Sequence, residues 1–120
     1  MKILVGCPVL LREWSLPDWF DHLDDAADYA GVDLEFVFVG APWDTATWDA
    51  IRVGADGRRC LCVHVAEDRR TPDRDWRDPA RYHRVVVLRN MLLATVRAVG
   101  PEWFLSLDSD IMLHRDALAN

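Results

Sequence analysis

Four short apolar runs, separated by segments with helical periodicity, constrain the fold of this chain most strongly. The runs predict strands over Lys2–Val9, Leu34–Val39, Cys60–Val65 and Trp103–Leu107. The segments between them predict helices over Pro17–Ala30, Asp44–Val53 and Pro79–Val99, and a charged loop over Glu67–Asp78. Strands that alternate with helices are typical of a parallel sheet covered on both faces. We therefore predict an α/β, Rossmann-like fold, for which 120 residues suit a single domain, 1–120.

Residue types at the helix ends support these bounds. Pro17 is typical of a first helical turn, and Ser15 just before it is a possible N-cap. Gly31 and Gly100 follow the first and third predicted helices, where glycine commonly ends a helix. The acidic residues of the first helix lie off its apolar face, so we expect them to be solvated rather than to bind a metal.

Composition and cysteine usage exclude some classes of function. The net charge of −6 argues against general nucleic-acid binding, which relies on an excess of lysine and arginine. No apolar run approaches the length of a transmembrane helix. Cys7, Cys60 and Cys62 are an odd set in a chain without an export signal, which favours reduced thiols and a cytoplasmic location. Because Cys60 and Cys62 lie in an apolar run, we expect them to be small buried side chains and not zinc ligands.

Two carboxylates follow the fourth predicted strand. Asp108 and Asp110 flank Ser109 directly after the apolar run. Asp is disfavoured inside strands and costly to bury unpaired, so the pair indicates a binding partner. Mg²⁺ and Mn²⁺ prefer carboxylate oxygens and are typically bound together with substrate phosphates. The alternative is that Asp108 only ends the strand, while Ser109 or Asp110 caps a following helix.

The expected topology indicates which strand ends lie close together. In open α/β sheets, ligands bind beyond the carboxyl ends of the strands, at the point where the strand order reverses. Asp108 lies at one such end, and Pro8-Val9 lies at another. We expect the first strand to lie between the second and the fourth, so that Pro8 and Asp108 face each other across one crevice.

The third helix places charged and polar residues on its predicted inward face. The apolar members of that face are Tyr82, Val85, Val86, Leu92, Leu93 and Val96. Arg89 and Asn90 fall on the same stripe by helical spacing. Because arginine is almost never buried unpaired, we expect Asp108, Asp110 or a bound phosphate beside Arg89. The alternative is that Arg89 extends into solvent from the stripe edge, with Asn90 solvated.

The segments Leu88–Leu93 and Trp103–Asp110, in that order, resemble nucleotide-sugar glycosyltransferases of the A-type (GT-A) fold, in particular those of family two. Their pattern is a helix containing Arg-Asn, a hydrophobic strand and an Asp-x-Asp (DxD) motif. The opening Ile3–Pro8 is similar to their first strand and its proline. The resemblance implies that this chain is the N-terminal, donor-binding part of such a fold.

The resemblance also implies a role for each matching residue. Asp110 would ligate Mn²⁺ or Mg²⁺ bridging the two phosphates of a nucleotide-diphosphate sugar. Asp108 would contact the ribose, a metal-bound water or the metal itself. Arg89 and Asn90 would organise this site, and Pro8-Val9 would flank the nucleotide. Catalytic residues are not assigned by the resemblance.

The chain departs from the family pattern in two places. In family-two relatives, acidic residues after the second strand usually lie near the nucleobase of the donor. Only Asp44 is available at that place in this chain. The sequence given also ends shortly after the DxD motif, so we expect a domain truncated there, without the acceptor half and the catalytic base. His114 follows the motif, and we expect it to be an exposed residue at a helix start.

The leading hypothesis from the sequence is a metal-dependent glycosyltransferase that binds a nucleotide-diphosphate sugar and transfers the sugar to an unknown acceptor. The alternative is a non-catalytic nucleotide-binding or interaction module of the same fold. An aspartate-based phosphotransferase is disfavoured, because that chemistry places its acids after the first strand, which here ends in Cys7-Pro8-Val9. The sequence does not indicate the base, the donor sugar or the oligomeric state.

Overall fold

The computed structural model describes residues 1–66 and 79–119, and for residues 79–82 it describes the backbone alone. The strands within these residues are β1 (Lys2–Pro8), β2 (Asp33–Gly40), β3 (Cys60–His64) and β4 (Phe104–Ser106). The helices are α1 (Leu16–Ala30), α2 (Thr45–Ala55), α3 (Pro79–Val99) and a short 3-10 helix (Arg115–Leu118). The loop predicted over Glu67–Asp78 lies outside the described residues.

The four strands form one parallel sheet in the order β3-β2-β1-β4. This confirms the predicted α/β, Rossmann-like fold and the position of the first strand between the second and the fourth. Gly6 of β1 pairs with Val37 on one side and with Ser106 on the other. The strand order therefore reverses between β1 and β4, where the Asp-x-Asp segment begins.

Alternate residues of β2 divide the core into two layers. Phe36 and Phe38 face α1, where they pack with Trp19 and Phe20 at ring-centroid distances of 5.3–6.4 Å. Val37 and Val39 face the opposite way and belong to a separate cluster with α3. This follows from the period of two in a strand, which sends neighbouring side chains to opposite faces. Helices α1 and α2 cover one face of the sheet, and α3 covers the other.

The predicted inward face of α3 is confirmed in part, since Leu92 is buried and Val96 packs against the same cluster. Among the described side chains of this helix, Leu88 and Leu92 are buried, whereas Val85, Val86 and Leu93 are 41%, 52% and 50% exposed. Apolar side chains surround α3 on nearly every side, so their spacing alone does not determine which face meets the sheet. The buried positions follow the i, i+4 spacing from Leu88. The side chain of Tyr82 lies outside the described part of the chain.

Three local predictions need correction. Ser15 occupies the N-cap position, but its hydroxyl donates to the carbonyl of Arg12 at 3.3 Å and does not cap the helix. Strand β4 is shorter than predicted, because Trp103 and Leu107 lie outside it. Trp103, which was expected to be buried in the strand, is 53% exposed. Cys62 is exposed and Cys60 half-buried, because β3 is an edge strand and its outer side is not fully covered.

The helix ends follow the glycine signals. Gly31 at φ +69° and Gly100 at φ +63° adopt left-handed backbone conformations directly after α1 and α3, which glycine reaches without a Cβ penalty. The amide of Gly100 donates to the carbonyl of Val96 at 2.9 Å. Within residues 1–66 and 79–119, no helix is both long and apolar enough to cross a membrane.

Candidate functional site

The carboxyl ends of β1 and β4 lie side by side, as the topology predicted. The amide of Leu107 donates to the carbonyl of Gly6 at 3.0 Å, which continues the β1–β4 pairing beyond β4. The next residue, Asp108, is therefore held at the strand end close to Pro8. Asp108 and Asp110 lie at the point where the strand order reverses, the usual ligand-binding position of such a sheet.

Trp19 anchors the backbone of the Asp-x-Asp segment to the core. Its indole is fully buried, and its Nε1 donates to the carbonyl oxygen of Asp108 at 3.0 Å. The same oxygen accepts the amide of Ile111 at 3.1 Å, which closes a turn over Asp108–Ile111. The site backbone is thus fixed by one of the largest side chains of the core. Sequence reasoning missed this contact, although a tryptophan on an apolar helix face must find an acceptor for its N–H.

Arg89 pairs with Asp108 across the crevice. One guanidinium nitrogen, Nη2, lies 3.0 and 3.1 Å from the two carboxylate oxygens. The side chains of Arg89 and Asp108 are 45% and 39% exposed, so this pair lies at the surface and not inside a buried stripe. The acidic partner expected for Arg89 is present, but burial of the arginine is not the reason for it. A pair this exposed contributes at most about 1 kcal/mol to folding.

Asp110 is the exposed carboxylate of the site. Within the described part of the chain, no side chain forms a hydrogen bond or an ion pair with it. Ser109 between the two acids points inward instead: it is 4% exposed, and it lies close enough to Cys7 to lower the pKa of that thiol. The segment therefore alternates, with two carboxylates accessible and the serine between them packed on β1. Between this segment and residue 119 the structure has no α-helix, so Ser109 and Asp110 do not act as the helix cap that was the alternative expectation.

Burial raises the pKa of the Cys7 thiol far above its ordinary value, and the nearby Asp108 carboxylate raises it further. Cys7 is therefore a neutral, inaccessible thiol in the folded chain. Cys60 also has a raised pKa, about 12, because of burial and the neighbouring Cys62.

We expect iodoacetamide at pH 8 to alkylate the exposed Cys62 well before Cys60, and to reach Cys7 only after denaturation, because alkylation needs an accessible thiolate. Peptide mass spectrometry of a labelling time course measures this order. Labelling of Cys7 as fast as Cys62 in the native chain would contradict the packing of Cys7 beneath the site.

The remaining predicted site residues occupy different positions. Pro8 is half-buried at the end of β1, while the side chain of Val9 is 1% exposed and packs in the core, so only its backbone can meet a ligand in this conformation. Asn90 is exposed on α3, and it has no hydrogen bond to Asp108 or Asp110. The structure thus joins Arg89 to Asp108 and places Pro8 at the adjacent strand end, and it leaves Asn90 exposed without a hydrogen bond to either aspartate.

The side chain of Asp44, which lies directly before α2, stabilises the loop that follows β1. It is 4% exposed, and its Oδ2 accepts the amide of Leu11 at 2.6 Å. Thr47, also buried, accepts the amide of Arg12 at 3.0 Å through Oγ1. Leu11 has a positive φ of 55°, and these two bonds hold that conformation. Asp44 is therefore not available as the substitute for the acid that binds the nucleobase in the family, and its place before α2 did not signal this role, since its side chain does not cap that helix.

This loop also brings a cation and an aromatic ring to the rim of the crevice. The guanidinium of Arg12 lies 5.9 Å from the ring centroid of Trp14, which is 67% exposed. Arg12 is close enough to Cys7 to lower its pKa, against the two aspartates that raise it. Arg89 on Asp108 and Arg12 near Cys7 thus place two guanidinium groups at this end of the sheet, and guanidinium groups suit a phosphorylated ligand.

The donor set indicates which metal ions fit the crevice. Within residues 1–66 and 79–119, no three histidine, cysteine or acidic side chains converge to hold a metal ion. Asp108 and Asp110 supply oxygen ligands alone, which suit Mg²⁺ or Mn²⁺ and not a soft metal. Two carboxylates leave most of an octahedral shell unfilled, so the residues fit such an ion only when a ligand adds oxygens.

No protein-family model and no curated protein matches this sequence. The structure is similar to that of S. aureus TarS 1-349, a glycosyltransferase, with a TM-score of 0.59 and 16% sequence identity. The match covers 98% of this chain and 30% of that one, so the chain spans less than a third of the TarS structure. At this identity the likeness establishes the fold: a parallel, Rossmann-like sheet with helices that is shared with a glycosyltransferase.

Proposed function

We propose that this chain forms the donor-binding part of a metal-dependent glycosyltransferase of the GT-A type, with a nucleotide-diphosphate sugar as its ligand and an unidentified acceptor. The observation that carries the proposal is the arrangement of side chains at the carboxyl ends of the adjacent strands β1 and β4. It has two accessible carboxylates at a strand end, an arginine on one of them and the switch point of the sheet beneath. The similarity to a glycosyltransferase fold supports the same conclusion.

In this proposal Asp110 ligates the cation, Mn²⁺ or Mg²⁺, and Asp108 ligates it or contacts the ribose. A divalent cation bound here would stabilise the negative charge that develops on the departing nucleotide diphosphate. Arg89 orients the Asp108 carboxylate, since one of its nitrogens bridges both oxygens. Pro8 and the Val9 backbone flank the nucleotide, with Asn90 at the rim. Because the Asp44 carboxylate accepts the Leu11 amide, we assign no acidic residue to binding of the nucleobase.

A non-catalytic nucleotide-binding module is the second candidate. It is favoured by the pairing of Asp108 with Arg89, which leaves Asp110 as the site carboxylate without a side-chain partner among the described residues. Incubation of the chain with sugar nucleotides and Mn²⁺, followed by chromatography of the nucleotide products, separates the two. Release of nucleotide diphosphate supports a catalytic site, and metal-dependent binding without release supports the module.

Arg89→Leu should weaken nucleotide-diphosphate binding by roughly 10- to 100-fold, the range typical of partners that orient metal ligands. The free energy of unfolding should fall by no more than about 1 kcal/mol, because the ion pair is half-exposed. Equilibrium dialysis with Mn²⁺ and urea denaturation measure the two effects separately. Arg97→Leu is the matched control, an exposed arginine in the last turn of the same helix. Equal losses of binding in both variants would contradict the role of Arg89.

A further inference from the structure

The edge strand β3 presents a second group of ligating side chains, far from the crevice. Cys60, Cys62 and His64 occupy alternate positions, so all three side chains lie on one face of the strand. They line a groove of about 500 Å³ together with α2 residues that include Trp48 and Ile51. Strands β3 and β4 are opposite edges of the sheet, so this groove is separate from the Asp108 site.

The spacing of the two thiols suits neighbouring ligands of one metal ion. Their Sγ atoms are 3.9 Å apart, and both cysteines are free. Two sulfurs bound at about 2.3 Å to a tetrahedral zinc ion would be about 3.8 Å apart. The observed separation matches that value without movement of the strand. A disulfide would require the sulfurs to approach to about 2.05 Å.

His64 is the nearest candidate for a third ligand. Its exposed imidazole packs on the Trp48 indole at a centroid distance of 4.7 Å. Among the described residues, no hydrogen bond or ion pair engages its ring nitrogens. In this conformation the imidazole does not meet the two sulfurs in a three-residue site. To meet them, the exposed His64 side chain has to rotate away from Trp48.

The charged residues around the groove are already neutralised by partners. Arg58 is held by Asp24 at 2.6 Å and by the carbonyls of Gly54 and Ala55. Arg52 is paired with Asp49 at 2.7 Å. A cation that enters the groove therefore meets two ion pairs and not two free guanidinium groups.

We propose that Cys60 and Cys62 bind a thiophilic divalent cation of the zinc class, that His64 becomes the third ligand when its side chain rotates away from Trp48, and that water fills the remaining position. Thiolate and imidazole select such ions, whereas the carboxylates of the crevice select Mg²⁺ or Mn²⁺. The chain then has two cation sites of different chemistry at opposite edges of its sheet. The sequence pattern Cys-x-Cys-x-His carried this signal, but it is informative only once β3 is known to be an edge strand.

Titration of the reduced, EDTA-treated chain with Cd²⁺, followed by the ultraviolet charge-transfer absorption of cadmium–thiolate bonds, tests the proposal. The signal should saturate at one equivalent, and Zn²⁺ should displace Cd²⁺. Cys60→Ser and Cys62→Ser should each remove most of the signal, and His64→Ala should weaken binding at least about 10-fold. His22→Ala is the matched control, an exposed histidine on α1 that should change nothing.

Circular dichroism establishes whether each variant is folded. Should Cys60→Ser unfold the chain, the exposed Cys62→Ser carries the test alone. Absence of a charge-transfer band at stoichiometric Cd²⁺, or its survival in the Cys60→Ser/Cys62→Ser double variant, would overturn the site. An unchanged affinity in His64→Ala would overturn the assignment of the third ligand.

Discussion

Asp110→Ala is expected to abolish the metal-dependent part of nucleotide binding while the chain stays folded. Ions of the Mg²⁺ type are held by only one or two carboxylates, so loss of one should weaken binding by at least about 100-fold. Asp110 is exposed and has no ion pair within the described residues. The free energy of unfolding should therefore change by no more than about 0.5 kcal/mol. Calorimetric titration with Mn²⁺ and a nucleotide diphosphate measures the loss.

Two further variants sharpen this result. Asp110→Asn keeps the size of the side chain and removes its charge, so it should lose nearly as much affinity as alanine. Asp28→Ala removes an exposed aspartate from α1 and should leave nucleotide binding unchanged. Metal-dependent binding that survives in Asp110→Ala would show that the Asp-x-Asp segment is only a strand end.

Trp19→Ala should produce the largest loss of stability, about 3–5 kcal/mol. The indole is fully buried, packs edge-on against Phe20 at 5.0 Å and lies 5.8 Å from Phe38. A domain of this size has a total stability of about 5–15 kcal/mol, so the variant loses a large share of it. Urea denaturation followed by circular dichroism gives the shift in midpoint.

Trp19→Phe separates packing from the hydrogen bond. It keeps an aromatic ring in the core but removes the N–H that binds the Asp108 carbonyl, at a cost of about 1–2 kcal/mol. We also expect weaker nucleotide binding in this variant, because the turn that carries the carboxylates loses its anchor. Trp14→Ala is the control for stability, since that indole is 67% exposed. A loss in Trp14→Ala as large as in Trp19→Ala would contradict the assigned core.

The sequence sufficed to predict the sheet because strands and helices differ in apolar period and because glycine marks helix ends. Strand order followed from the rule that ligand-binding acids lie where the order reverses. The strand order and the approach of β1 to the Asp-x-Asp segment are confirmed.

The buried face of α3 was not predictable in the same way, because this helix is apolar on almost all sides. Arg89 was expected on a buried stripe and is half-exposed, yet it binds Asp108. The expected partner of Arg89 is therefore correct, although the expectation that Arg89 is buried was wrong. The pair joins α3 to the segment after β4 across 19 positions of the sequence.

Two of the contacts that sequence reasoning missed are long-range. Trp19 reaches Asp108 over 89 positions, and Asp44 reaches Leu11 over 33. Each joins a side chain to a backbone group, and such bonds leave no periodic pattern in the sequence. Both contacts bear on the proposed site. The Trp19 bond fixes the turn that carries Asp108 and Asp110, and the Asp44 bond fixes the loop after β1.

The most direct test of the proposed function is calorimetric titration of the unmodified chain with UDP and GDP, each with Mn²⁺ and with EDTA. Two carboxylates alone hold such a cation weakly, so the nucleotide and the metal should bind cooperatively. We predict that at least one nucleotide binds at least about 10-fold more tightly with Mn²⁺ than with EDTA, which corresponds to about 1.4 kcal/mol. Equal affinity under both conditions, or no binding of either nucleotide, would contradict the account.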